Sequence, residues 1–401
     1  MANERALLVI NSGSSSLKFG LYRLGGAEPE RLARGRIEAL HATPRFAARG
    51  ADGASLGEAE LPQGSDPYDA ALTHVLTWLK DRFPRVELAG AGHRIVHGGR
   101  DYADPVRLGP EDLARLEGLS PLAPLHQPQN LSPIRALAAL RPELPQIGCF
   151  DTAFHRTNPR IAQLFGLPRA FAEEGILRYG FHGLSYAFVS ARLSELDPAL
   201  ASGRVIVAHL GSGASLCALS GGRSVASTMG FTALDGLPMG TRSGTLDPGV
   251  LLYLLQARGY DAARLEHLLY AESGLRGLSG LSGDMEVLLA SGDPGAEEAI
   301  AYFCYRAVRE AGSLAAALGG VDGVVFTAGI GENAPRIRAR IAEGLAWLGA
   351  ELDPAANEAQ ADVISTPASK IRLRIIPTNE ELVIARAAAG LVGEEQGANS
   401  E

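Results

Sequence analysis

Hydrophobic and polar positions divide the chain into strands and helices that alternate irregularly. Residues 6–10 and 19–24 are apolar runs typical of buried strands, and the tract between them is small and polar. Residues 68–80 carry apolar side chains at helical spacing, which predicts an amphipathic helix. Because no regular strand–helix–strand unit recurs, the pattern favours a mixed-sheet α/β fold over a doubly wound one.

The polar tract at residues 11–18 predicts the bend of a hairpin. It reads Asn-Ser-Gly-Ser-Ser-Ser-Leu-Lys and lies between two strands. Walker and dinucleotide loops open a helix directly after their strand, so this tract is neither. Free backbone N–H groups, hydroxyls and one ammonium group in a tight bend favour an anion. From the tract alone, a plain serine-rich hairpin turn is the alternative.

The same design recurs about half a chain later. Residues 205–210 and 216–219 are apolar runs, and residues 211–215 between them are Gly-Ser-Gly-Ala-Ser. We therefore predict a fold built twice, with a phosphate-binding bend in each half and a cleft in which both bends face one polyphosphate. A length of 401 residues favours two domains. We expect them at residues 1–150 with 382–401, and at residues 151–381.

Composition narrows the classes of function. Hydrophobic residues at 46% and charged residues at 20% are ordinary for a globular protein. A net charge of −8 argues against a nucleic-acid partner, which needs a basic face. No apolar run is long enough to predict a membrane span. The 3 cysteines share no metal-ligand spacing, so we expect reduced thiols in a cytoplasmic protein.

Several charged or imidazole side chains stand at predicted strand ends or in glycine- and proline-bounded loops. Taken singly, such an arginine is usually a surface cation and such a histidine a core group with satisfied hydrogen bonds. Together they supply the positioning and charge neutralisation that phosphoryl transfer requires. A zinc site is disfavoured because no histidine pair has helical spacing beside a general base. The residues are Arg94, His126, Asp151, His182, Arg242 and Glu380.

Many colinear motifs along nearly the whole chain give a specific resemblance. They lie at residues 9–18, 93–99, 124–126, 150–155, 179–183, 229–232, 239–244, 326–333 and 377–382. In these motifs the sequence resembles the acetate kinase family, which belongs to the actin, sugar-kinase and Hsp70 superfamily. The resemblance implies a two-domain actin-like (ribonuclease H-like) fold with duplicated mixed sheets, flanking helices and an interdomain cleft. It also implies a homodimer formed through the second domain, which would carry the nucleotide site.

The implied activity is reversible, Mg²⁺-dependent transfer of the ATP γ-phosphoryl group to acetate, giving acetyl phosphate and ADP, with Mn²⁺ as a substitute metal. Metal ligands implied by the resemblance are Asn11 and Glu380. Implied catalytic residues are Arg94, His126, Asp151, His182 and Arg242, and the implied acetate pocket consists of Arg94, Val96, Leu125, Phe181 and Ala233. The implied nucleotide-binding residues are Ser14, Lys18, His209, Leu210, Gly211, Ser212, Gly213, Asp284, Met285, Glu286, Gly329, Ile330, Gly331, Glu332 and Asn333.

Elementary chemistry refines one of these roles. Acetate is ionised near pH 7, so the nucleophile has no proton to lose and needs no general base. The obstacle is the repulsion between a carboxylate and a polyanion, which arginines and Mg²⁺ offset. We therefore interpret Asp151 as a holder of the metal or its waters and not as a proton-transfer group.

Three positions depart from the family pattern. Ser212 replaces the usual Asn, Ala233 the usual Pro and Glu286 a common Arg. These changes keep two alternatives open, a pyrophosphate-dependent acyl kinase and a propionate-preferring one. A third alternative, which follows from the shared fold, is a nucleotide-switch protein of the actin or Hsp70 type. ATP is favoured as donor because the glycine-rich segment 329–333 is intact, and glycines there leave room for adenosine.

Overall fold

The computed structural model describes residues 4–13, 15–64 and 66–398, with side chains up to residue 393. Ser14, which the resemblance assigns to phosphate binding, lies outside the described residues. The chain forms two compact units. Unit 1 runs to Ala153 and resumes at Asn379, and unit 2 comprises Phe154–Thr378. Asp151 and Glu380 therefore belong to the same unit as Arg94.

Unit 1 is built on an eight-stranded mixed sheet in the order β5-β4-β3-β2-β1-β6-β8-β7. Its strands are β1 (Glu4–Ser12), β2 (Ser16–Arg23), β3 (Glu30–Glu38), β4 (Arg45–Gly50), β5 (Ser55–Glu60), β6 (Val86–Ile95), β7 (Val106–Arg107) and β8 (Gln146–Phe150). Its described helices are α1 (Pro67–Arg82), α2 (Pro110–Glu117), α3 (Gln127–Leu140) and, after unit 2, α16 (Glu380–Ala398).

Unit 2 is built on a five-stranded sheet in the order β11-β10-β9-β12-β13. Its strands are β9 (Arg204–Leu210), β10 (Ala214–Ser220), β11 (Arg223–Ser227), β12 (Gly323–Thr327) and β13 (Arg372–Ile375). Its helices are α4 (Arg160–Gln163), α5 (Arg169–Glu173), α6 (Gly183–Leu196), α7 (Pro198–Ala201), α8 (Pro248–Ala257), α9 (Ala262–His267), α10 (Gly274–Ser279), α11 (Met285–Ala290), α12 (Pro294–Leu318), α13 (Ala328–Asn333), α14 (Pro335–Gly344) and α15 (Pro354–Glu358).

The two sheets share one arrangement of strands. In unit 1, β1 pairs antiparallel with β2, β2 antiparallel with β3, and β6 and β8 follow in parallel on the other side of β1. In unit 2, β9, β10 and β11 repeat the antiparallel part, and β12 and β13 repeat the parallel part. The predicted hairpins at residues 11–18 and 211–215 and the duplicated mixed-sheet fold are therefore confirmed.

One hydrophobic core of unit 1 lies between the sheet and α1. Asp66 caps this helix by accepting hydrogen bonds from the N–H groups of Tyr68 (2.8 Å) and Asp69 (3.2 Å). Leu72 and Val75 of α1 are fully buried in a cluster that includes apolar side chains of β1 and β2. The helical spacing of apolar residues thus predicted this helix correctly, because that spacing gives it a buried face.

Unit 2 buries both faces of its sheet. On one side Tyr186, Val189 and Leu193 of α6 pack with Val205 and Val207 of β9. The 25-residue helix α12 packs against β10, β11 and β9. Burial on both faces explains why β9 and β10 are almost continuously apolar.

Residues 328–333 differ in local structure from the sequence interpretation. The sequence predicts a strand at 324–327 that runs into a glycine-rich segment, with the next helix beginning at residue 335. The structure instead forms the short helix α13 directly after β12. Two glycines in six residues lower helix propensity, which hid this helix from a propensity-based prediction. Tertiary hydrogen bonds, described below, hold the segment.

We expect the buried histidines to make stability depend on pH. Burial lowers the pKa of His93 to about 4, whereas an unfolded histidine titrates near 6.5. Between these values the unfolded chain binds a proton that the folded chain does not, so stability falls as pH drops through this window. Replacing His93 by Leu should flatten the dependence of the free energy of unfolding on pH by up to about 1.4 kcal/mol per pH unit.

Urea denaturation at a series of pH values from about 7 to about 4.5 measures this slope. Exposed His41, replaced by Leu, is the control and should leave the slope unchanged. Equal slopes for the wild-type protein and the His93→Leu variant would contradict the expectation.

Candidate active site

Three neighbouring parallel strands of unit 1 end at one edge of the sheet and carry polar groups there. Ile10 of β1 is in register with His93 of β6, so Asn11 lies one step further along, level with Arg94. Arg94 is in register with Cys149 of β8, and the N–H of Asp151 donates to the carbonyl of Ile95 at 3.0 Å. Carboxyl ends of parallel strands are a common position for ligand sites.

Arg94 and Asp151 form a bidentate ion pair at this edge. The guanidinium Nη2 lies 2.6 Å from Asp151 Oδ2, and Nε lies 3.1 Å from Oδ1. Nη1 lies 3.4 Å from Glu380 Oε2 at the start of α16. Burial alone would lower the pKa of Arg94, but these two carboxylates outweigh burial and raise the pKa. Two carboxylates around one guanidinium leave the group with a net negative charge.

This donor set fits a Mg²⁺ site with few protein ligands. Among the described residues, no three His, Cys, Asp or Glu side chains cluster in the manner of an all-protein metal cage. Mg²⁺ usually takes one or two protein carboxylates together with waters and substrate phosphates. Glu380 offers a carboxylate that is 16% exposed, and Asn11 offers an amide oxygen at the neighbouring strand end.

Two buried amides of α3 hold the same edge in place. The Asn130 side chain accepts from the N–H of Val96 (2.9 Å) and donates to the carbonyl of Ser12 (2.8 Å), so it joins the ends of β6 and β1. Gln127 accepts from the N–H of His97 and donates to its carbonyl. Sequence reasoning missed both amides. Their signal is their position, because they follow Pro124-Leu125-His126 in the first turn of a helix otherwise rich in apolar residues.

The other predicted residues of unit 1 differ in exposure. Val96 is 7% exposed and Leu125 is 41% exposed, so only the first is part of the interior. His126 is the residue that precedes α3 and is half-buried. Lys18 pairs with Asn11 across the first hairpin, and its side chain is exposed.

In unit 2, a glycine bend brings an arginine and a histidine together. The bend between β9 and β10 closes through a hydrogen bond from Gly211 N–H to the carbonyl of Gly213 (3.1 Å). A Cβ placed on Gly213 would lie 2.9 Å from Arg242 Nη2 and 3.2 Å from His182 Nε2. Because glycine has no Cβ, Arg242 and His182 can both approach the bend at this position. Arg242 is held by a bond from Nη1 to the carbonyl of Ala233 (2.7 Å).

His182 is fixed on its opposite side. Its Nδ1 lies 2.8 Å from the hydroxyl of Ser215, and its ring stacks on that of His209 with centroids 4.2 Å apart. His209 Nδ1 lies 2.8 Å from the hydroxyl of Ser185. The backbone of His182 has φ of +59° immediately before α6, and the preceding Phe181 is fully buried. The sequence analysis identified His182 and His209 as candidate site residues, but it did not identify Ser185 and Ser215.

The start of α11 lies beside the same bend. The N–H of Gly240 donates to the carbonyl of Ser212 (3.1 Å), and a Cβ on Gly240 would lie 2.9 Å from the carbonyl oxygen of Gly283. These contacts bring the predicted nucleotide-binding residues at the start of α11 towards the bend. Asp284 caps the helix and is exposed, Met285 is buried and Glu286 is exposed.

Helix α13 is held by a carboxylate and a buried guanidinium. Glu332 Oε1 accepts from the N–H groups of Ala328 (2.8 Å) and Thr378 (3.1 Å). Buried Arg338 donates to the carbonyls of Gly331 (3.0 Å) and Glu332 (2.8 Å). Gly331 faces β12 and β9, whereas Gly329 has open space beside it. Glu332 thus orders the segment, and Gly329 offers the free surface.

Two solved structures that are similar to this chain are carboxylate kinases. An acetate kinase of Porphyromonas gingivalis superposes with a TM-score of 0.85 at 37% identity, over 97% of this chain and 99% of that one. A propionate kinase of Francisella tularensis superposes with a TM-score of 0.88 at 34% identity, over 96% and 99% of the two chains. These similarities define the class as the actin-like fold of acetate and propionate kinases.

The chain belongs to the acetokinase family, whose family model matches residues 6–386. An acetate kinase of Nitrobacter hamburgensis is 52% identical over 389 residues, which cover 96% of each protein. The resemblance drawn from the sequence motifs is therefore confirmed. Among the described helices, none combines the length and apolar composition required to cross a membrane.

We expect Asn130 to contribute to stability through the strand ends that it joins. Replacing it by Ala leaves the buried N–H of Val96 and the carbonyl of Ser12 without these bonds. At about 1–3 kcal/mol for each unsatisfied group, the free energy of unfolding should fall by about 2–6 kcal/mol. Urea denaturation measures the loss.

Ser132 on the same helix donates to the carbonyl of Pro128 and is the matched control. Its Ala variant should stay within about 0.5 kcal/mol of the wild-type protein. A similar small loss for Asn130→Ala would show that the strand ends are held without this amide.

Proposed function

We propose that this protein is an acetate kinase that reversibly transfers the γ-phosphoryl group of ATP to acetate, giving acetyl phosphate and ADP. Family membership supports the reaction class, and the supporting geometry is the approach of Arg242 and His182 to the Gly213 bend. A glycine bend beside a guanidinium and an imidazole provides the donors that phosphoryl transfer uses. The family match does not favour a nucleotide-switch protein of the actin or Hsp70 type.

In the proposed reaction, the groups of both units have separate roles. Arg94 attracts the acetate carboxylate, and Arg242 and His182 stabilise the charge on the transferring phosphoryl group. His126 is proposed as a further donor to that group. Phosphate groups of the nucleotide are held by Lys18 and the bend, and Mg²⁺, or Mn²⁺ in its place, would supply further charge neutralisation when held by Asn11 and Glu380.

We propose a positioning role for Asp151 instead of proton transfer. Its carboxylate is 1% exposed, and both of its oxygens contact Arg94. Because the nucleophile is already ionised, no proton needs to be removed. The pair keeps the guanidinium in one orientation at the strand ends, with Nη1 directed to Glu380. The expectation that Asp151 also holds the metal or its waters stays a prediction.

We propose the nucleotide and acyl pockets from the residues that the family resemblance implies. Exposed Gly329 and the start of α11 at Asp284–Glu286 would contact the nucleoside, while Glu332 orders α13 beside it. Val96, Leu125, Phe181 and Ala233 would surround the methyl group of acetate. Ala233 is smaller than the family's usual proline, so we expect the pocket to accept propionate as a second substrate.

We propose that the protein forms a homodimer and that it is located in the cytoplasm. No residue of α8 is buried, and Val250, Leu252, Tyr253 and Leu255 are each 41–55% exposed. Exposed apolar side chains on a helix are stabilised when a second copy covers them. All three cysteines, Cys149, Cys217 and Cys304, are buried free thiols, which supports a reducing compartment.

Conservative arginine variants test the catalytic assignment. Replacing Arg94 by Ala would leave the buried Asp151 carboxylate unpaired and destabilise the fold, so Lys is the better substitution because it keeps the charge. We expect Arg94→Lys and Arg242→Lys each to lower kcat by about 10²–10³. Exposed Arg115→Lys is the control. Near-normal turnover in either folded variant, with folding checked by thermal melting, would refute that residue's role.

Parallel hydroxamate assays test the donor and the acceptor. With Mg²⁺ present, ATP should support acyl phosphate formation and pyrophosphate should not. Acetate should have a higher kcat/KM than propionate, and each added methylene should cost about 1–3 kcal/mol. Glu286→Arg should lower the KM for ATP by removing an exposed negative charge near the nucleotide. Activity only with pyrophosphate, or equal kcat/KM for acetate and butyrate, would contradict the assignment.

Light scattering during size-exclusion chromatography tests the dimer. Leu252→Glu places a charge on the apolar face of α8 and should shift the protein to a monomer, because a buried unpaired charge is costly. Ile161→Glu is the control, since Ile161 is also an exposed apolar residue of unit 2 but lies on α4. A Leu252→Glu dimer as stable as the wild type would exclude α8 from the interface.

A further inference from the structure

Two buried hydroxyl groups, those of Ser215 and Tyr186, extend a hydrogen-bonded series from Nδ1 of His182. The hydroxyl of Ser215 lies 2.8 Å from His182 Nδ1 and 2.5 Å from the hydroxyl of Tyr186. Tyr186 and Ser215 are both 0% exposed. Ser215 belongs to β10 and Tyr186 to the first turn of α6, the helix that follows His182. The three side chains therefore form a chain of hydrogen bonds inside unit 2.

The hydroxyl hydrogens of Tyr186 and Ser215 can be placed by requiring a hydrogen-bond acceptor for each one. A buried hydroxyl hydrogen without an acceptor is costly. Within the described part of the chain, the Tyr186 hydroxyl has one hydrogen-bond partner, Ser215, so Tyr186 donates to Ser215. Burial raises the pKa of Tyr186 well above its ordinary value, which keeps the phenol protonated and able to donate.

The same requirement then fixes the hydrogen of Ser215. Its hydroxyl has two hydrogen-bond partners among the described residues, Tyr186 and His182. Because it accepts from Tyr186, its own hydrogen goes to His182 Nδ1. In the neutral ring the proton then resides on Nε2, the atom on the side of Gly213 and Arg242.

We propose that Ser215 is a positioning residue that holds neutral His182 as its Nε2–H tautomer, with that N–H presented on the side of the Gly213 bend, and that Tyr186 supports it by donating to the serine hydroxyl. This inference rests on the proposed function, which gives His182 a role in stabilising the transferring phosphoryl group. The reaction needs a hydrogen-bond donor there and no proton transfer. A fixed tautomer supplies such a donor in every turnover, without reprotonation.

Contacts on the ring face support a fixed orientation. The His182 ring lies nearly parallel to that of His209, with an interplanar angle of 17°, and His209 is itself held by the hydroxyl of Ser185. Stacking restricts rotation of the His182 ring, while Ser215 selects its tautomer. The φ of +59° at His182 is uncommon for a residue with a side chain. Such backbone strain persists where surrounding contacts determine the conformation.

Nitrogen-15 NMR of histidine-labelled protein tests the tautomer directly. The chain has 9 histidines, so the His182 signals are assigned by their loss in His182→Gln. In the wild-type protein near pH 7.5, well above the ordinary histidine pKa, we expect a protonated Nε2 and an unprotonated Nδ1. A protonated Nδ1, in either the other tautomer or the imidazolium, would overturn the proposal.

Variants separate the roles of the two hydroxyls. Ser215→Ala removes the donor to Nδ1 and should give mixed tautomers, with kcat lower by about 10–100-fold and KM values for ATP and acetate within about threefold. Tyr186→Phe leaves the serine hydroxyl free to donate, so it should retain the tautomer and lose less than about tenfold in kcat. Unchanged tautomer and kcat in folded Ser215→Ala would refute the proposal.

A matched control and a separate readout keep the two proposals distinguishable. Ser190 on α6 donates to the carbonyl of Gly222, and Ser190→Ala removes one hydrogen bond of the same kind with no effect expected on the His182 signals. Full activity of His182→Gln would refute the catalytic role of His182, whereas the NMR spectra alone decide whether the hydroxyls hold the tautomer. If Ser190→Ala altered the His182 tautomer as Ser215→Ala does, the effect would not be specific to the hydroxyl that contacts Nδ1. The proposal would then fail.

Discussion

The ion pair between Arg94 and Asp151 is the interaction on which the unit 1 site depends. An ionised carboxylate that is 1% exposed needs a compensating charge, and the guanidinium provides it in bidentate geometry. The pair joins the end of β6 to the residue after β8. It also leaves Nη1 near Glu380 on α16, so the strand ends carry charges of both signs.

Duplication explains why sequence reasoning was most successful at the two bends. A hairpin is local, and its apolar strands and small polar residues lie within about twenty positions of each other. The register of β1 with β2 and of β9 with β10 follows from these short connections. The parallel partners β6, β8, β12 and β13 come from distant segments. Their order across the sheets could be inferred from the family resemblance and not from strand patterns alone.

The parts that sequence reasoning missed are polar contacts between distant segments. Asn130 joins Ser12 to Val96, and Glu332 joins the N–H groups of Ala328 and Thr378. Nothing in the spacing of an amide or a carboxylate along the chain specifies a backbone group tens or hundreds of positions away. The short helix α13 was missed for a related reason, because long-range bonds override the low propensity of its glycines.

The two candidate sites differ in how they use charge, and this difference suits a reaction without proton transfer. In unit 1, one guanidinium lies between two carboxylates, and the net negative charge of this group favours a cation. In unit 2, Arg242 contributes charge, and the hydroxyls behind His182 determine where a neutral ring carries its hydrogen. Charge that develops on a phosphoryl group is best stabilised by donors that are already oriented. Buried hydrogen-bond partners therefore matter to the proposed chemistry as much as the side chains that would contact the substrate.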